Sequence, residues 1–478
     1  MAENRKLHIA LFPWLAFGHM IPYLEFAKLM AQKGHRISFL CTPRNINRLP
    51  KLPPNLINFV SLPLPHVEGL PAEDAEATVD VPYDKIQYLK KAYDGLQESV
   101  TLFLQSSNPD WILYDFAPYW VAPIASRMGI KTSFFSVYTA PALGFMGPPS
   151  VLKGESSVNY EIRTKPEDYT VPPKWIDFPT TVAFRYFEIK RIFDSMSPND
   201  SGVSDVCRTG AGIESCDVVA IRGCIDFEPE WFRLLRDLYN KPVLPIGQLP
   251  PAGDQNDHNR DDETETETMT WLTMKSWLDK HEKGTVVYVA FGTEAKLGRE
   301  EVTEIAVGLE KSQLPFFWVL RLTQAAILPE GFEERIEGRG VVWKTWAPQL
   351  KILAHESVRG HFTHSGWSSV VESLRFKRAL ILLPLIADQG INARILEEKK
   401  MGYSVPRDER DGSFTSNAVA ESLRLVMVED EGNIYRHKVK EMSGLFADRD
   451  RQDRYLDNFL DYLKSHKTSE LSTEQRRK

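Results

Sequence analysis

The sequence predicts an α/β protein made of two Rossmann-like, doubly wound domains that face each other across a cleft. Short apolar runs alternate with helical patterns in both halves of the chain, which is typical of βαβ units. A polar, acidic stretch with very few apolar side chains separates the halves. The length of 478 residues also favours two domains, because a single hydrophobic core stops growing near roughly 250–300 residues.

The first predicted domain covers residues 1–248. Its alternation begins with elements at 7–12, 20–33 and 36–40, a strand, a helix and a strand. An apolar run at 111–114 predicts another strand. Ligands of doubly wound sheets bind beyond the carboxyl ends of the strands, so polar residues at those ends are the candidates for chemistry.

A linker is predicted at residues 249–270, where a Pro-rich turn runs into Asp, Glu and Thr residues that have little to bury. The second domain, residues 271–464, restarts the alternation. Its first elements are predicted at 285–290, 300–309 and 316–320. Its last helical pattern, 434–462, could pack back on the first domain, and the polar tail at 465–478 is expected to be disordered.

Composition and charge narrow the classes of function. The formal net charge of −7 and the lack of a long Lys and Arg run argue against nucleic acid as a partner. The four cysteines show no metal-ligand spacing, which argues against a zinc site or a disulfide scaffold and fits the cytoplasm. No apolar run reaches the ~20 residues that span a bilayer. Pro13, His19 and the missing cleavage site favour a buried first strand over a signal peptide.

The most informative stretch lies at residues 360–372. Its pattern predicts a short buried strand at 360–363, a turn, and a helix from Trp367 onward. A helix N-terminus offers unpaired backbone N–H groups and the positive end of a dipole. Ser368 and Ser369 add hydroxyl donors there. This arrangement predicts a phosphate site.

Two further side chains extend this to a nucleotide site. His364, in the turn, can donate a hydrogen bond to a diphosphate. Glu372 shares a helix face with the two serines, and its carboxylate suits a ribose diol because it can accept two O–H bonds. The alternative interpretation is an N-capping serine pair followed by a solvated glutamate.

A longer segment, from Trp346 to Gln389, resembles the C-terminal signature of plant family 1 UDP-glycosyltransferases, which runs from a Trp to a Gln over 44 positions, as it does here. The matching residues include Trp346, Pro348-Gln349, Ile352-Leu353, His355, Phe362-Thr363-His364, Gly366-Trp367, Ser369, Glu372, Pro384 and Asp388-Gln389. Matches near residues 12–19 and 109–115 extend the resemblance over nearly the whole chain. It looks closest to the subfamily that includes sugar-on-sugar, branch-forming enzymes.

The resemblance implies the GT-B fold and a UDP-sugar donor. It assigns uracil stacking to Trp346, the ribose to Gln349 and Glu372, the diphosphate to His364, Ser368 and Ser369, and the transferred sugar to Trp367, Asp388 and Gln389. Ala347, Gly366, Gly292 and Thr293 complete the implied UDP-sugar site. The chain departs from the family at Ser365 and Ser368, where Cys and Asn are usual, and at Lys377 and Ala379. The shorter Ser368 predicts weaker diphosphate binding.

A catalytic pair is predicted at the ends of two strands in the first domain. His19 follows the first strand, and imidazole is the side chain whose pKa suits a general base near neutral pH. Asp115 ends the run at 111–114 and can orient the imidazole and stabilise its protonated form. The resemblance implies the same roles. Taken singly, each residue would more simply be a structural hydrogen-bonding or turn residue.

The acceptor pocket is predicted from aromatic and apolar residues that follow the catalytic strand ends. These candidates are Tyr119, Trp120, Tyr138, Phe145 and Met146. They suggest a pocket for a flat or terpenoid scaffold, although aromatic runs are often simply core.

The predicted function is an inverting UDP-glycosyltransferase. It would transfer a hexose, glucose being favoured, from a UDP-sugar to a hydroxyl of a small apolar plant metabolite or its glycoside. UDP-rhamnose is the alternative donor, and a UDP-sugar-binding protein with lost activity or a UDP-sugar epimerase are alternative functions. A dehydrogenase is disfavoured because no G-x-G-x-x-G follows the first strand. No cofactor or metal, no membrane partner and a monomeric state are expected.

Overall fold

The computed structural model describes residues 6–71, 74–155, 160–251, 265–294, 296–320 and 327–467. Over these ranges the chain forms two parallel β-sheets, each flanked by helices. The predicted α/β class with two doubly wound domains is confirmed.

The first sheet contains seven strands within the described residues, in the order β3-β2-β1-β4-β5-β6-β7, and all neighbouring strands are parallel. Its strands are β1 (His8–Phe12), β2 (Arg36–Cys41), β3 (Asn58–Ser61), β4 (Trp111–Tyr114), β5 (Lys131–Ser136), β6 (Val218–Ile221) and β7 (Val243–Pro245). All residues of β4 and β6 are buried, as expected for central strands that helices cover on both faces.

The helices of the first domain connect these strands and cover the sheet. They are α1 (Phe17–Gln32), α2 (Pro43–Arg48), α3 (Ile86–Asp94), α4 (Gln97–Ser107), α5 (Val121–Arg127), α6 (Ala140–Met146), α7 (Pro149–Leu152), α8 (Tyr186–Ile192), α9 (Asp205–Ser215) and α10 (Pro229–Tyr239). Short 3₁₀ turns occur at Thr78–Asp80, Tyr83–Lys85, Pro166–Tyr169 and Phe193–Met196.

The second sheet has the order β10-β9-β8-β11-β12-β13, again with parallel neighbours. Its strands are β8 (Val286–Ala290), β9 (Phe316–Val319), β10 (Gly340–Trp343), β11 (Val358–Thr363), β12 (Ala379–Leu382) and β13 (Gly402–Ser404). Its helices are α11 (Glu265–Leu278), α12 (Arg299–Ser312), α13 (Phe332–Arg335), α14 (Gln349–Ala354), α15 (Trp367–Arg375), α16 (Gln389–Glu398) and α17 (Ser416–Met427).

The C-terminal part of the chain returns to the first domain. After a 3₁₀ turn at Asp430–Gly432 it forms α18 (Asn433–Met442), α19 (Gly444–Ala447) and α20 (Arg449–Ser465), where the sequence predicted one long helical pattern. In α20, Phe459 packs on Phe26 of α1 with ring centroids 5.6 Å apart. The indole Nε1 of Trp111 in β4 donates to the Leu463 carbonyl at 3.1 Å.

Two predicted segments fall partly outside the described residues. Most of the predicted linker, at 252–264, is outside them, and its end at 265–270 belongs to α11. The predicted tail is described only to residue 467. Among the described helices, none combines the length and apolar character needed to cross a membrane.

In each sheet the strand order reverses at one place, between β1 and β4 in the first sheet and between β8 and β11 in the second. Crevices form at such switch points, at the carboxyl ends of the strands. The predicted catalytic pair, His19 and Asp115, follows β1 and β4, and the predicted diphosphate residues follow β8 and β11.

Candidate active site

The predicted catalytic pair is assembled at the switch point of the first sheet. His19 lies in the first turn of α1, and Asp115 directly follows β4, which pairs with β1. Their side chains meet, with Nδ1 of His19 2.8 Å from Oδ2 of Asp115. The backbone N–H groups of Trp14 and Ala117 also donate to the Asp115 carboxylate, at 2.9 and 3.3 Å. The carboxylate is therefore held by the backbone and can fix the orientation of the imidazole.

His19 faces a cavity of about 480 Å³ between the two domains. Aromatic rings surround the imidazole, with Phe116 at 5.7 Å and Tyr138 at 5.6 Å between ring centroids. The apolar lining includes Trp14, Phe116, Ala142, Leu143, Leu152, Phe184, Ile192, Ile386 and Ile391. The polar lining includes Thr78, Gln87, Lys90, Asp194, Asn199, Asp205, Thr209 and Asp388. Such a cavity suits a ligand with an apolar body and polar substituents.

Two of the five predicted acceptor residues line this cavity, namely Tyr138 and Met146. The other three predicted residues do not line it, because their side chains lie in the core or against other groups. Trp120 is buried, and its Nε1 donates to Asp94 at 2.9 Å. Phe145 is fully buried beneath the Arg163 guanidinium, and Tyr119 lies under that of Arg208.

The lining residues that the sequence analysis missed include Trp14 and Phe116. Each follows β1 or β4 within a few residues of the catalytic pair. Their position at strand ends was a usable signal. Leu143, Ile386 and Ile391 carried no such signal, because their segments converge on the cavity only in the folded chain.

The predicted diphosphate site lies at the switch point of the second sheet, where β11 leads into α15. The imidazole of His364 fits between two glycines. A Cβ built on Gly292, whose φ is +74°, would lie 2.7 Å from its Nε2, and one on Gly366 would lie 2.5 Å away. Burial lowers the pKa of His364 to about 4, so the ring is neutral at pH 7 and offers a hydrogen bond rather than a charge.

The predicted ribose residues form one hydrogen-bonded group. Nε2 of Gln349 donates to Glu372 at 2.6 Å and to the Ser369 hydroxyl at 3.3 Å. The hydroxyl of Tyr288 donates to Oε1 of Gln349 at 3.2 Å. Burial raises the pKa of Glu372, and the Gln349 amide opposes that rise. Beside them, Trp346 is 55% exposed, as a stacking platform would be, and Ala347 packs in the neighbouring core.

The residues assigned to the transferred sugar have different environments. Asp388 lines the cavity and accepts from Nδ2 of Asn392 at 2.8 Å. Gln389 uses its Oε1 to accept the backbone N–H groups of Leu385 and Ile386, so this oxygen holds the loop. The indole of Trp367 is buried and donates to Oε1 of Gln248 at 2.9 Å. Its side chain therefore forms an interdomain contact.

The two family departures at this turn also have distinct environments. Ser365 has a left-handed backbone with φ of +68°, and its buried hydroxyl has no hydrogen-bond partner among the described residues. Ser368, at the start of α15, accepts a hydrogen bond at 2.7 Å from Nη1 of Arg222, which comes from the first domain. Thr293 is exposed on the loop after β8, and Glu294, next to it, accepts from Thr78 across the cleft at 2.9 Å.

Comparison with known proteins bears on this geometry. The profile of the family described as UDP-glucoronosyl and UDP-glucosyl transferase matches residues 259–470. UDP-glycosyltransferase 91A1 of Arabidopsis thaliana is 51% identical over 473 residues, which cover 96% of this chain and 97% of that protein. The chain belongs to the plant family 1 UDP-glycosyltransferases.

Other UDP-glycosyltransferases support the assignment. Soyasaponin III rhamnosyltransferase of Glycine max is 42% identical to this chain, and the match covers 98% of both proteins. The structure of Phytolacca americana UGT2 with UDP-2fluoro-glucose and pterostilbene has a TM-score of 0.73 at 23% identity, over 96% of this chain and 100% of that one. This likeness shows the GT-B fold. As a member of the family, the chain is a UDP-glycosyltransferase, an enzyme that transfers sugar from a UDP-sugar to a small-molecule acceptor.

Proposed function

We propose that this UDP-glycosyltransferase transfers a hexose, with glucose favoured, to an acceptor hydroxyl with inversion at the anomeric carbon, and that His19 is its general base. The observation that carries the proposal is the 2.8 Å contact between His19 and Asp115 at the wall of a cavity that Asp388 of the second domain also lines. This geometry supports a role for the pair between an acceptor space and the predicted sugar site.

In the proposed reaction, Asp115 accepts the Nδ1–H of His19 and leaves Nε2 to receive the proton of the acceptor hydroxyl. The acceptor oxygen forms a bond to the anomeric carbon while the bond from that carbon to the diphosphate oxygen breaks. Attack on the face opposite the leaving UDP inverts the configuration. Protonated His19 then releases its proton to solvent, and the UDP departs with the electron pair of the broken bond.

The proposal needs no metal or cofactor. Its support is the helix N-terminus at Trp367–Arg375, whose backbone N–H groups and dipole favour an anion. A monomer in the cytoplasm is also proposed. The free thiols Cys41, Cys216 and Cys224 are buried in the fold and suit a reducing compartment.

The polar wall of the cavity favours a glycosylated acceptor over a bare apolar one. Lys90 is buried in this wall and forms an ion pair with Asp205 at 2.5 Å. Gln87 and Asn199 line the same region. Together these groups offer donors and acceptors of the kind that sugar hydroxyls require. Because the soybean relative is a rhamnosyltransferase, UDP-rhamnose is the second donor candidate.

Purified protein incubated with UDP-glucose or UDP-rhamnose, and with phenolic or terpenoid aglycones and their glucosides, tests the proposal. We expect faster transfer to a glucoside than to its aglycone, and a β-linked product from UDP-α-glucose by NMR. A product of retained configuration would overturn the mechanism. UDP binding without transfer to any acceptor would favour a binding protein instead.

A further inference from the structure

The predicted diphosphate site lacks an obvious positive charge. Its side chains are Ser368, Ser369 and His364, and the first two are neutral hydroxyls. Burial lowers the pKa of His364 to about 4, so that ring is neutral as well at pH 7. Glu372, one turn along α15, is acidic. A UDP-sugar carries negative charge on both phosphates, and the leaving UDP gains more during transfer, so this site calls for a cation.

Arg222 places a cation at this helix from the other domain. It directly follows β6 of the first sheet, and its side chain is buried, with 2% of the residue exposed. Its Nε donates to the Gln248 carbonyl at 2.9 Å, and its Nη1 donates to the Ser368 hydroxyl at 2.7 Å. The guanidinium is thus fixed at both ends and reaches the second residue of α15.

This guanidinium lacks a direct ion-pair partner among the described residues, and the carboxylates of Glu372 and Glu25 act on it only through longer-range electrostatic attraction. Both hydrogen bonds run to neutral oxygens, and among the described residues no carboxylate forms an ion pair with it. Burial lowers the pKa of Arg222 to about 10, which still leaves it charged at pH 7. A buried charge without a directly bonded counter-ion is costly, and such costs are characteristic of sites that receive a charged ligand.

The contact also sets the direction of the Ser368 hydroxyl. Because its oxygen accepts from Arg222, its hydrogen can be donated to a ligand oxygen. A charged donor polarises the hydroxyl and strengthens the second hydrogen bond. The family residue Asn would be longer, and the shorter serine leaves room for the guanidinium. The adjacent residue, Trp367, is held from the same side by Gln248.

We propose that Arg222 is a positioning residue of the donor site, which orients Ser368 and provides the positive charge beside the diphosphate of the UDP-sugar. The inference rests on the proposed UDP-sugar site at α15. It assigns to the first domain a part in binding the donor phosphates.

Binding of UDP and of uridine to the full chain, measured by calorimetry, tests this role. Arg222→Met removes the charge and keeps much of the side-chain volume. We expect it to weaken UDP about tenfold or more, the size expected for a charged hydrogen bond, and uridine less than about twofold. Arg222→Lys should lie between the wild type and Arg222→Met. Arg233→Met, which removes an exposed arginine from α10 of the same domain, is the control and should leave both ligands unchanged.

If Arg222 had only a structural role, Arg222→Met would weaken the binding of UDP and of uridine to the same extent, and that result would overturn the inference. Unchanged UDP binding would overturn it as well. If Arg222→Met fails to fold, Arg222→Lys decides the matter by the same ratio of UDP to uridine affinity. If the wild-type chain itself bound no UDP, the proposed function would fall together with this inference. Tight UDP binding that is indifferent to Arg222 would remove the inference alone.

Discussion

Whether a residue takes part in the chemistry depends on which of its polar atoms the protein already uses. The carboxylate of Asp115 accepts hydrogen bonds from His19 and from two backbone N–H groups, so it positions the imidazole. His19 uses Nδ1 for that contact and borders the cavity. Gln389 and Trp367, by contrast, use side-chain polar atoms to hold the protein itself. Position in a motif therefore does not by itself show what a side chain binds.

The role of His19 can be tested by His19→Ala. We expect transfer to fall by about 10²- to 10⁴-fold, the usual contribution of a general base. UDP affinity should stay within about twofold, because loss of a general base acts on turnover rather than on UDP binding. Steady-state kinetics and calorimetry on one preparation measure both. A variant that keeps half of the wild-type turnover would remove His19 from the mechanism.

At the scale of elements, α6 shows how one helix divides its residues between core and cavity. Phe145 and Met146 are adjacent, yet Phe145 is fully buried in the core while Met146 lines the cavity. Successive helical residues point in directions about 100° apart, since a turn takes 3.6 residues. Both are apolar, so composition alone could not separate a packing residue from an acceptor contact.

Alanine substitutions at these two positions should affect different properties, namely stability at Phe145 and acceptor binding at Met146. Phe145→Ala should lower stability by about 3–5 kcal/mol, because it removes a buried aromatic ring. Met146→Ala should raise the acceptor KM and leave the melting temperature within a few degrees. Thermal unfolding and acceptor kinetics on both variants separate the effects. An unchanged acceptor KM in Met146→Ala would exclude contact with the acceptor.

Helix α10 begins next to a buried acid. Glu228 is fully buried, and neither carboxyl oxygen has a hydrogen-bond partner among the described residues. Burial raises the pKa of Glu228 from 4.5 to about 8. The folded state therefore holds a proton that the unfolded state releases between pH 4.5 and 8. Stability from this group is complete below pH 4.5 and is lost as the pH rises towards and through 8.

Glu228→Gln should remove this pH dependence because an amide does not ionise. We expect the melting temperature of the variant, relative to the wild type, to be higher at pH 8.5 than at pH 5, with roughly 1.4 kcal/mol involved per unit of pKa difference. Glu230→Gln, an exposed position of α10, is the matched control. Equal differences at both pH values would show that Glu228 does not carry a buried proton.

At the scale of the whole molecule, the two domains share the site rather than merely flank it. The cavity takes His19 from the first domain and Asp388 from the second. Two residues of the first domain form hydrogen bonds to the start of α15. Arg222 donates to Ser368, and Gln248 accepts from Trp367. A donor bound at α15 would therefore stabilise the contact between domains as well as its own domain.

The stabilisation of the folded chain by bound UDP can be measured, because a ligand that binds only the folded state raises the free energy of unfolding. UDP at 100 times its Kd should add about 2.7 kcal/mol to the stability of the folded chain and raise the melting temperature. At the same UDP concentration Glu372→Ala should lose most of that rise, and its donor KM should increase strongly, because a ribose contact contributes to uniform binding. Glu356→Ala, at an exposed acid of the same domain, is the control. A change confined to the acceptor KM would contradict the ribose assignment.

The sequence by itself was sufficient for features that depend on neighbouring residues. For most of the predicted strands and helices, hydrophobic periodicity gave the ends to within a few residues. The strand-turn-helix pattern at 360–372 was enough to predict that α15 begins at Trp367. The pairing of His19 with Asp115 was also predictable, because both follow strands that are adjacent in a doubly wound sheet. These inferences need only local geometry and the fact that parallel strand ends converge.

The tertiary structure alone decided which side chains meet across long separations. Arg222 and Ser368 lie 146 positions apart, and no local pattern indicates that one donates to the other. Trp367 and Gln248, which are 119 positions apart, also form a hydrogen bond that no local pattern indicates. The tertiary structure likewise decided that Phe145 is buried while its neighbour Met146 lines the cavity. Periodicity reports that a residue is apolar and on an inner face. What lies opposite that face is set by how two domains and a returning helix pack together.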